Sequence, residues 1–250
     1  MDLHLAEKTA IVTGASQGFG RAISKELAME GVQVLATARS ADLLQTLRQE
    51  IIAGGGIAPV LLVQDFVATD APVNITSAAL KAFGHVDILI NNTGRSRAVD
   101  VVGPEEEWEA GMLLDFHRHR QLTQQLLPQF INRKTGSILN ITSSYELRSI
   151  NVSAVAKASL AQWSKQLAGE LGKYGITVNC LQPGLLDTAN TRRIFTPAQR
   201  QAFAASEIPL GDFGTPKDIA NVAVFLVSPR ARYVSGAVFA VDGGFRRYAF

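Results

Sequence analysis

The chain has 250 residues, 47% of them hydrophobic, one cysteine, and a formal net charge of +2 from scattered charged groups. That length supports one large core, and no linker-like stretch interrupts it, so a single domain over 1–250 is expected. Near-neutral charge points away from nucleic acid and from acidic membrane surfaces, and a lone Cys180 excludes an internal disulfide or a cysteine-built zinc site. The first residues lack a basic segment followed by an apolar one, and no apolar run nears the roughly 18 residues of a membrane span. A cytoplasmic protein is expected.

Along the chain, short runs of Val, Ile and Leu alternate with helical patterns. Strands are expected at 8–13, 32–38, 58–63, 86–91, 135–142, 176–181 and 236–241. Helices are expected near 18–30, 41–53, 70–83, 105–130, 152–174 and 216–228. The strands are continuously apolar rather than alternating, as in a parallel sheet covered on both faces. This predicts a doubly wound α/β fold of about seven strands, with ligands at the carboxyl ends of the strands. Gly14, Arg39, Asp65, Asn92, Ser143 and Pro183 stand at those ends.

The first of these ends is the most informative. Thr9-Ala10-Ile11-Val12 leads into Thr13-Gly14-Ala15-Ser16-Gln17-Gly18-Phe19-Gly20, and a helical pattern follows from Arg21 to Ala28. Strand, glycine turn and helix offer a phosphate free amides and the positive end of a helix dipole. Gly14, Gly18 and Gly20 suit the turn, the approach of a pyrophosphate and tight helix packing. Asp65, ending the third strand, reads either as a turn carboxylate or as an acceptor for an adenine amine. Asn91-Asn92-Thr93-Gly94 at the end of the fourth fits backbone contact with a ribose.

These stretches, with Pro183-Gly184 and Thr188, resemble the cofactor motifs of the short-chain dehydrogenase/reductase family. The tail from Ile208-Pro209-Leu210-Gly211 to Val241-Asp242-Gly243-Gly244 resembles its 3-oxoacyl-carrier-protein reductase branch. The resemblance implies a Rossmann-type sheet, a nicotinamide cofactor, and hydride transfer between a small carbonyl compound and an alcohol. It also implies a homodimer or homotetramer packed through the helix after Trp108. Cofactor contacts carry over to Gly14, Ser16, Gln17, Gly18, Phe19, Gly20, Arg39, Ser40, Asp65, Phe66, Asn92, Gly94, Lys157, Pro183, Gly184 and Thr188. In relatives preferring NAD an acidic residue ends the second strand; here Ala38 stands in that place and Arg39 offers a planar donor fork for a 2′-phosphate. NADP is therefore expected over NAD, although Gln17 stands where many NADP-preferring relatives are basic.

The catalytic positions depart from the family. The carbonyl-polarising serine falls at Ser143 and the lysine at Lys157, but the tyrosine position is Ser153 and the supporting asparagine position is Asp115. The stretch from Ser143 to Lys157 is also a few residues short. A serine hydroxyl is a far weaker acid than a phenol, and losing a general acid removes about 10²–10⁴-fold of rate. Three proton sources stay open: Tyr145 swinging in from the loop, Lys157 acting through a water held by Ser153, or Asp115 if burial raises its pKa. The alternative is a catalytically impaired dinucleotide-binding protein serving as a sensor or partner subunit.

Two further stretches carry open readings. His117-Arg118-His119-Arg120 reads as a polar, partly solvated helix face, as a contact for acidic groups of another subunit, or as a source of Arg118 or His119 for an anionic substrate. The two histidines are two apart, so no metal site is expected. The segment near 185–212 matches the family's substrate lid. Its Leu185, Leu186, Ile194, Phe195 and Phe203 with Arg192, Arg193 and Arg200 read as an amphipathic excursion, or as an apolar pocket whose arginines attract a carboxylate or phosphopantetheine group.

Overall fold

A computed structural model describes residues 2–143 and 149–247. Seven parallel strands form one sheet: β1 (Thr9–Thr13), β2 (Gln33–Ala38), β3 (Val60–Val63), β4 (Ile88–Asn91), β5 (Gly136–Ile141), β6 (Ile176–Pro183) and β7 (Val238–Val241). Their spatial order is β3-β2-β1-β4-β5-β6-β7. The order reverses between β1 and β4, which places the ligand crevice of an open α/β sheet at their carboxyl ends.

Helices α1 (Gly18–Met29), α2 (Ala41–Ala53), α3 (Ala71–Phe83), α4 (Glu105–Met112), α5 (Arg118–Arg133), α6 (Val152–Leu171), α7 (Ala189–Ile194), α8 (Pro197–Glu207) and α9 (Pro216–Leu226) connect the strands. Alternation along β1 explains why both sheet faces are covered. Ala10 and Val12 join a core with Ile23 and Leu27 of α1, Leu44 of α2 and Ile219 of α9. Ile11 points the other way, into a core with Ile75 of α3, Leu122 and Phe130 of α5 and Leu171 of α6. Successive side chains of a strand face opposite sides, so each strand needs apolar residues throughout.

A ladder of buried amides crosses the second face. Asn91 Nδ2 donates to Asn140 Oδ1 at 2.8 Å and to Thr123 Oγ1 at 3.0 Å, and Asn140 Nδ2 donates to Ser164 Oγ at 2.7 Å. These bonds tie β4 and β5 to α5 and α6, the two helices that carry the polar groups at the sheet's end.

Three expectations need correction. The helix expected over 105–130 is broken by a π turn at Leu113–His117, a wider turn than helical spacing reveals. The lid contains two short helices that the pattern did not predict, α7 and α8; Thr188 caps the first and a Thr196–Gln199 capping box opens the second. The face holding Arg118 and His119 is not solvated: they are 6% and 0% exposed.

Candidate active site

The glycine turn after β1 is closed to side chains at Gly14 and Gly20. Gly14 and Gly18 take left-handed φ values of 65° and 57°, a region glycine enters without strain. A Cβ on Gly20 would lie 2.4 Å from both the Gly14 carbonyl oxygen and Asn92 Nδ2. Asn92 is drawn inward by those contacts: its Nδ2 donates to the Thr13 carbonyl at 2.8 Å and its backbone amide to Thr13 Oγ1 at 2.9 Å. The turn after β4 thus braces the turn after β1.

At the start of α1 the N-cap Gln17 is extended and makes no capping bond, and the first turn carries no acidic side chain. Free amides and an unopposed helix dipole are the donor set that a pyrophosphate needs, so these residues fit a dinucleotide. Arg21 donates to the Ser16 carbonyl, and Phe19 packs half-buried on the α1 face of the sheet. Arg39 is exposed at the end of β2, and Ser40 Oγ accepts from the Leu43 amide to cap α2. Exposed Asp65 accepts from the Val67 amide within its own turn, whereas Phe66 is buried against the His119 ring, with 5.0 Å between centroids. Across the crevice Pro183 ends β6, Gly184 packs against Asp242, and Thr188 caps α7.

Beside this cradle, polar residues of two helices face each other over Thr93 and Gly94. Asp115 in the π turn and His119 and Thr123 of α5 recur at four-residue spacing; Ser153 and Lys157 do the same on α6. Ser153 Oγ lies 2.8 Å from Asp115 Oδ2 and also contacts the Arg95 carbonyl oxygen. Lys157 Nζ donates to the Thr93 carbonyl at 3.1 Å and stands 3.7 Å from Asp115 Oδ1. A Cβ on Gly94 would sit 2.6 Å from Asp115 Oδ1 and 3.3 Å from Lys157 Cε, so glycine is what lets the two helices close here.

Ser153 Oγ has one hydrogen and two oxygen neighbours, the Asp115 carboxyl and the Arg95 carbonyl. Burial pushes the Asp115 carboxyl up, with the Lys157 charge and the Ser153 hydrogen bond opposing. Burial likewise pulls Lys157 below its ordinary value.

His119, which the sequence offered only as one candidate for holding an anionic substrate, joins this cluster. Its Nε2 lies 2.7 Å from the Thr93 carbonyl, a distance that requires an N–H donor there. Lys157 Nζ is 3.4 Å from the same nitrogen. Burial and the neighbouring ammonium hold His119 well below its ordinary pKa, and its Nδ1 is buried without a partner among the described residues. Its spacing of four from Asp115 was the available signal. Arg118 turns away, donating through Nε and Nη2 to the Val67 carbonyl.

Ser143 follows β5, and its carbonyl accepts from Gln182 Nε2 at 2.7 Å. Tyr145 lies outside the described residues. In the lid, Phe195, Phe203 and Phe213 pack on one another and Phe203 meets Phe245, forming a small core of their own. Arg192 and Arg200 both pair with Asp187, which leaves exposed Arg193 as the lid arginine without an acidic partner among the described residues. Among the described residues no cluster of His, Cys, Asp or Glu is arranged for a metal, and no described helix is long and apolar enough to cross a membrane.

Comparison with known proteins places this geometry. Residues 14–246 match a family model described as enoyl-(acyl carrier protein) reductase. A 3-oxoacyl-(acyl-carrier-protein) reductase of Thermotoga maritima is 32% identical over 247 residues, covering 97% of this chain and 99% of the relative. The 2-dehydro-3-deoxy-D-gluconate 5-dehydrogenase of Bacillus subtilis is 33% identical over 246 residues, covering 96% of this chain and 95% of its own length. Among solved structures, L-sorbose reductase from Gluconobacter frateurii, complexed with NADPH and L-sorbose, superimposes with a TM-score of 0.93 at 29% identity. That match covers 99% of this chain and all of the other. A 7α-hydroxysteroid dehydrogenase complexed with NADH and 7-oxo glycochenodeoxycholic acid gives 0.91 at 31% identity, covering 97% and 96%.

Proposed function

The chain belongs to the short-chain dehydrogenase/reductase family, and on that premise we propose that it is an NADP(H)-dependent oxidoreductase interconverting a ketone and a secondary alcohol, with Asp115 and Ser153 handling the proton. The nucleotide, when bound, supplies or accepts the hydride. The turn from Gly14 to Gly20 holds its pyrophosphate, Arg39 and Ser40 receive the 2′-phosphate, and Lys157 holds the ribose beside Thr93. Ser143 polarises the carbonyl.

The observation that carries this reading is Ser153 Oγ standing between Asp115 Oδ2 and the Arg95 carbonyl. Rotation about the Ser153 Cβ–Oγ bond turns its O–H to the substrate oxygen while Oγ keeps its contact with Asp115, which in this reading carries a proton. The bond from Ser153 Oγ to its hydrogen breaks as the alcohol O–H forms, and the Asp115 proton replaces it. The carboxylate left behind faces Lys157 Nζ, 3.7 Å away. Alcohol oxidation runs the same transfers backwards.

Assembly as a homodimer or homotetramer belongs to the same reading. A groove of about 550 Å³ lined by Trp108, Met112 and Leu113, with Glu105, Glu109 and His117 on its walls, supports α4 as a contact face.

The test is turnover of ketone and alcohol panels by the wild type, Asp115→Asn and Ser153→Ala. Each variant is expected to lose about 10²–10⁴-fold in kcat with NADPH affinity retained. Unchanged kcat in both overturns the proton route. No turnover by the wild type, with NADPH binding intact, favours the sensor or partner-subunit reading; the missing phenol at Ser153 is what supports it.

A further inference from the structure

One guanidinium near the crevice is held by a neutral amide and, among the described residues, by no acidic side chain. Arg246 follows the turn after β7, and its position is fixed from several sides. Its backbone amide donates to Asp242 Oδ2 at 3.0 Å, and the Leu210 amide at the base of the lid donates to the Gly243 carbonyl at 3.1 Å. A Cβ on Gly243 would lie 2.9 Å from Ile208 Cγ2, so this turn is seated tightly under the lid. Phe245, the preceding residue, packs into the lid's aromatic core.

The side chain of Arg246 runs toward the catalytic serine. Its Nη1 donates to Gln182 Oε1 at 3.3 Å, and Nε2 of the same amide donates to the Ser143 carbonyl at 2.7 Å. Gln182 is 2% exposed and lies next to the last residue of β6. One side-chain amide therefore spans the gap, and the guanidinium stands within roughly 8 Å of the Ser143 backbone. The Asp242 carboxylate is already engaged by the amides of Gly244 and Arg246. Among the described residues no acidic side chain pairs with the Arg246 guanidinium, and its Nε and Nη2 have no acceptor. A half-buried cation held by one neutral amide favours an anion arriving from the crevice, and a carboxylate matches its fork with two parallel hydrogen bonds.

We propose that the substrate is a small oxo acid, or the matching hydroxy acid, whose carboxylate binds Arg246 while its carbonyl or hydroxyl lies at Ser143. This rests on the oxidoreductase reading above and names its substrate class. Gln182 then acts as a spacer, setting the separation between the cation and the carbonyl-polarising serine.

The experiment uses the NADPH-loaded full chain and three probes: acetoacetate, its methyl ester, and malonate as an anion with no ketone to reduce. Calorimetry is expected to show malonate binding to the wild type, weakened about tenfold to a hundredfold by Arg246→Ala and partly restored by Arg246→Lys. NADPH affinity and melting temperature are expected to stay unchanged in both variants. In turnover, the wild type prefers acetoacetate to the ester in kcat/KM, and Arg246→Ala removes that preference, which a purely structural role for Arg246 would leave in place. Malonate binding that is absent, or that is unaffected by Arg246→Ala, overturns the proposal. So does a loss confined to Arg95→Ala, the exposed arginine that follows Gly94 in the chain. If neither ketone turns over while malonate binding still depends on Arg246, the anion site stands and the reductase reading fails.

Discussion

Asp115 and Ser153 share a hydrogen bond of 2.8 Å, and the same serine oxygen also contacts the Arg95 carbonyl. On the proposed reading, the residue at the family's asparagine position becomes the acid of the site. Ketone reduction consumes a proton, so turnover is expected to be highest at low pH and to fall as pH rises through the raised pKa of Asp115. Alcohol oxidation is expected to show the opposite limb. The pH–rate profiles of wild type and Asp115→Asn check this, and a profile that persists in the variant assigns the titration elsewhere.

Tyr145→Phe is the companion measurement. With Asp115 and Ser153 carrying the proton, kcat is expected to stay within about twofold of wild type, far from the 10²–10⁴-fold loss of a general acid. A loss of that size would hand the role to the phenol.

Arg39 is the residue on which the proposed preference for NADP rests. It is exposed at the end of β2 beside Ser40, and Ala38 offers no carboxylate to repel a 2′-phosphate. Arg39→Ala is expected to raise the Kd of NADPH about tenfold or more and that of NADH little, as measured by fluorescence titration. Equal losses for the two nucleotides would remove the preference for NADP.

His119 gives the fold an acid-side weakness. Its native pKa lies well below the 6.5 of the free side chain, so the native state excludes a proton that the unfolded chain accepts. Its share of stability is therefore complete above about pH 6.5 and is lost as pH falls through the native-state pKa, by about 1 kcal/mol in the first unit. His119→Gln keeps a donor for the Thr93 carbonyl without a titrating group. Melting temperatures recorded between pH 7 and 5 are expected to decline less in the variant.

Gly94→Ala tests the packing between the two polar helices. The added methyl meets Asp115 Oδ1 at 2.6 Å, a contact that only movement of Asp115 or of the strand end relieves. A stability loss of about 1–3 kcal/mol in urea unfolding is expected, together with reduced kcat. An unaltered midpoint would mean that the cleft opens freely at this point.

The sheet was legible because burial on both faces forces continuous apolar strands, and Ala10, Ile11 and Val12 each have a core to enter. The glycine turn was legible for a similar reason: at Gly14 and Gly20 backbone geometry restricts the residue type. The centre of the site was less so. A π turn preserves the apolar rhythm on either side of it, so 105–130 reads as one helix. A solvated face was one of three readings open for His119 and Arg118, because charge-bearing residues in a helix are usually exposed; their burial depends on acceptors at Thr93 and Val67 that lie far away in sequence. Arg246 gave no local pattern, since its relation to Ser143 exists only through Gln182 on another strand. The lid helices announced themselves only through short capping signals at Thr188 and Thr196.

The widened turn at Leu113–His117 also sets the relative rotation of the segments it joins. Removing one residue there returns the joint to ordinary winding, so the flanking segments keep nearly the facing they have. What the deletion changes is the turn itself, where Asp115 stands. A single-codon loss in this joint would therefore leave α4 and α5 folded while moving the carboxyl away from residue 153.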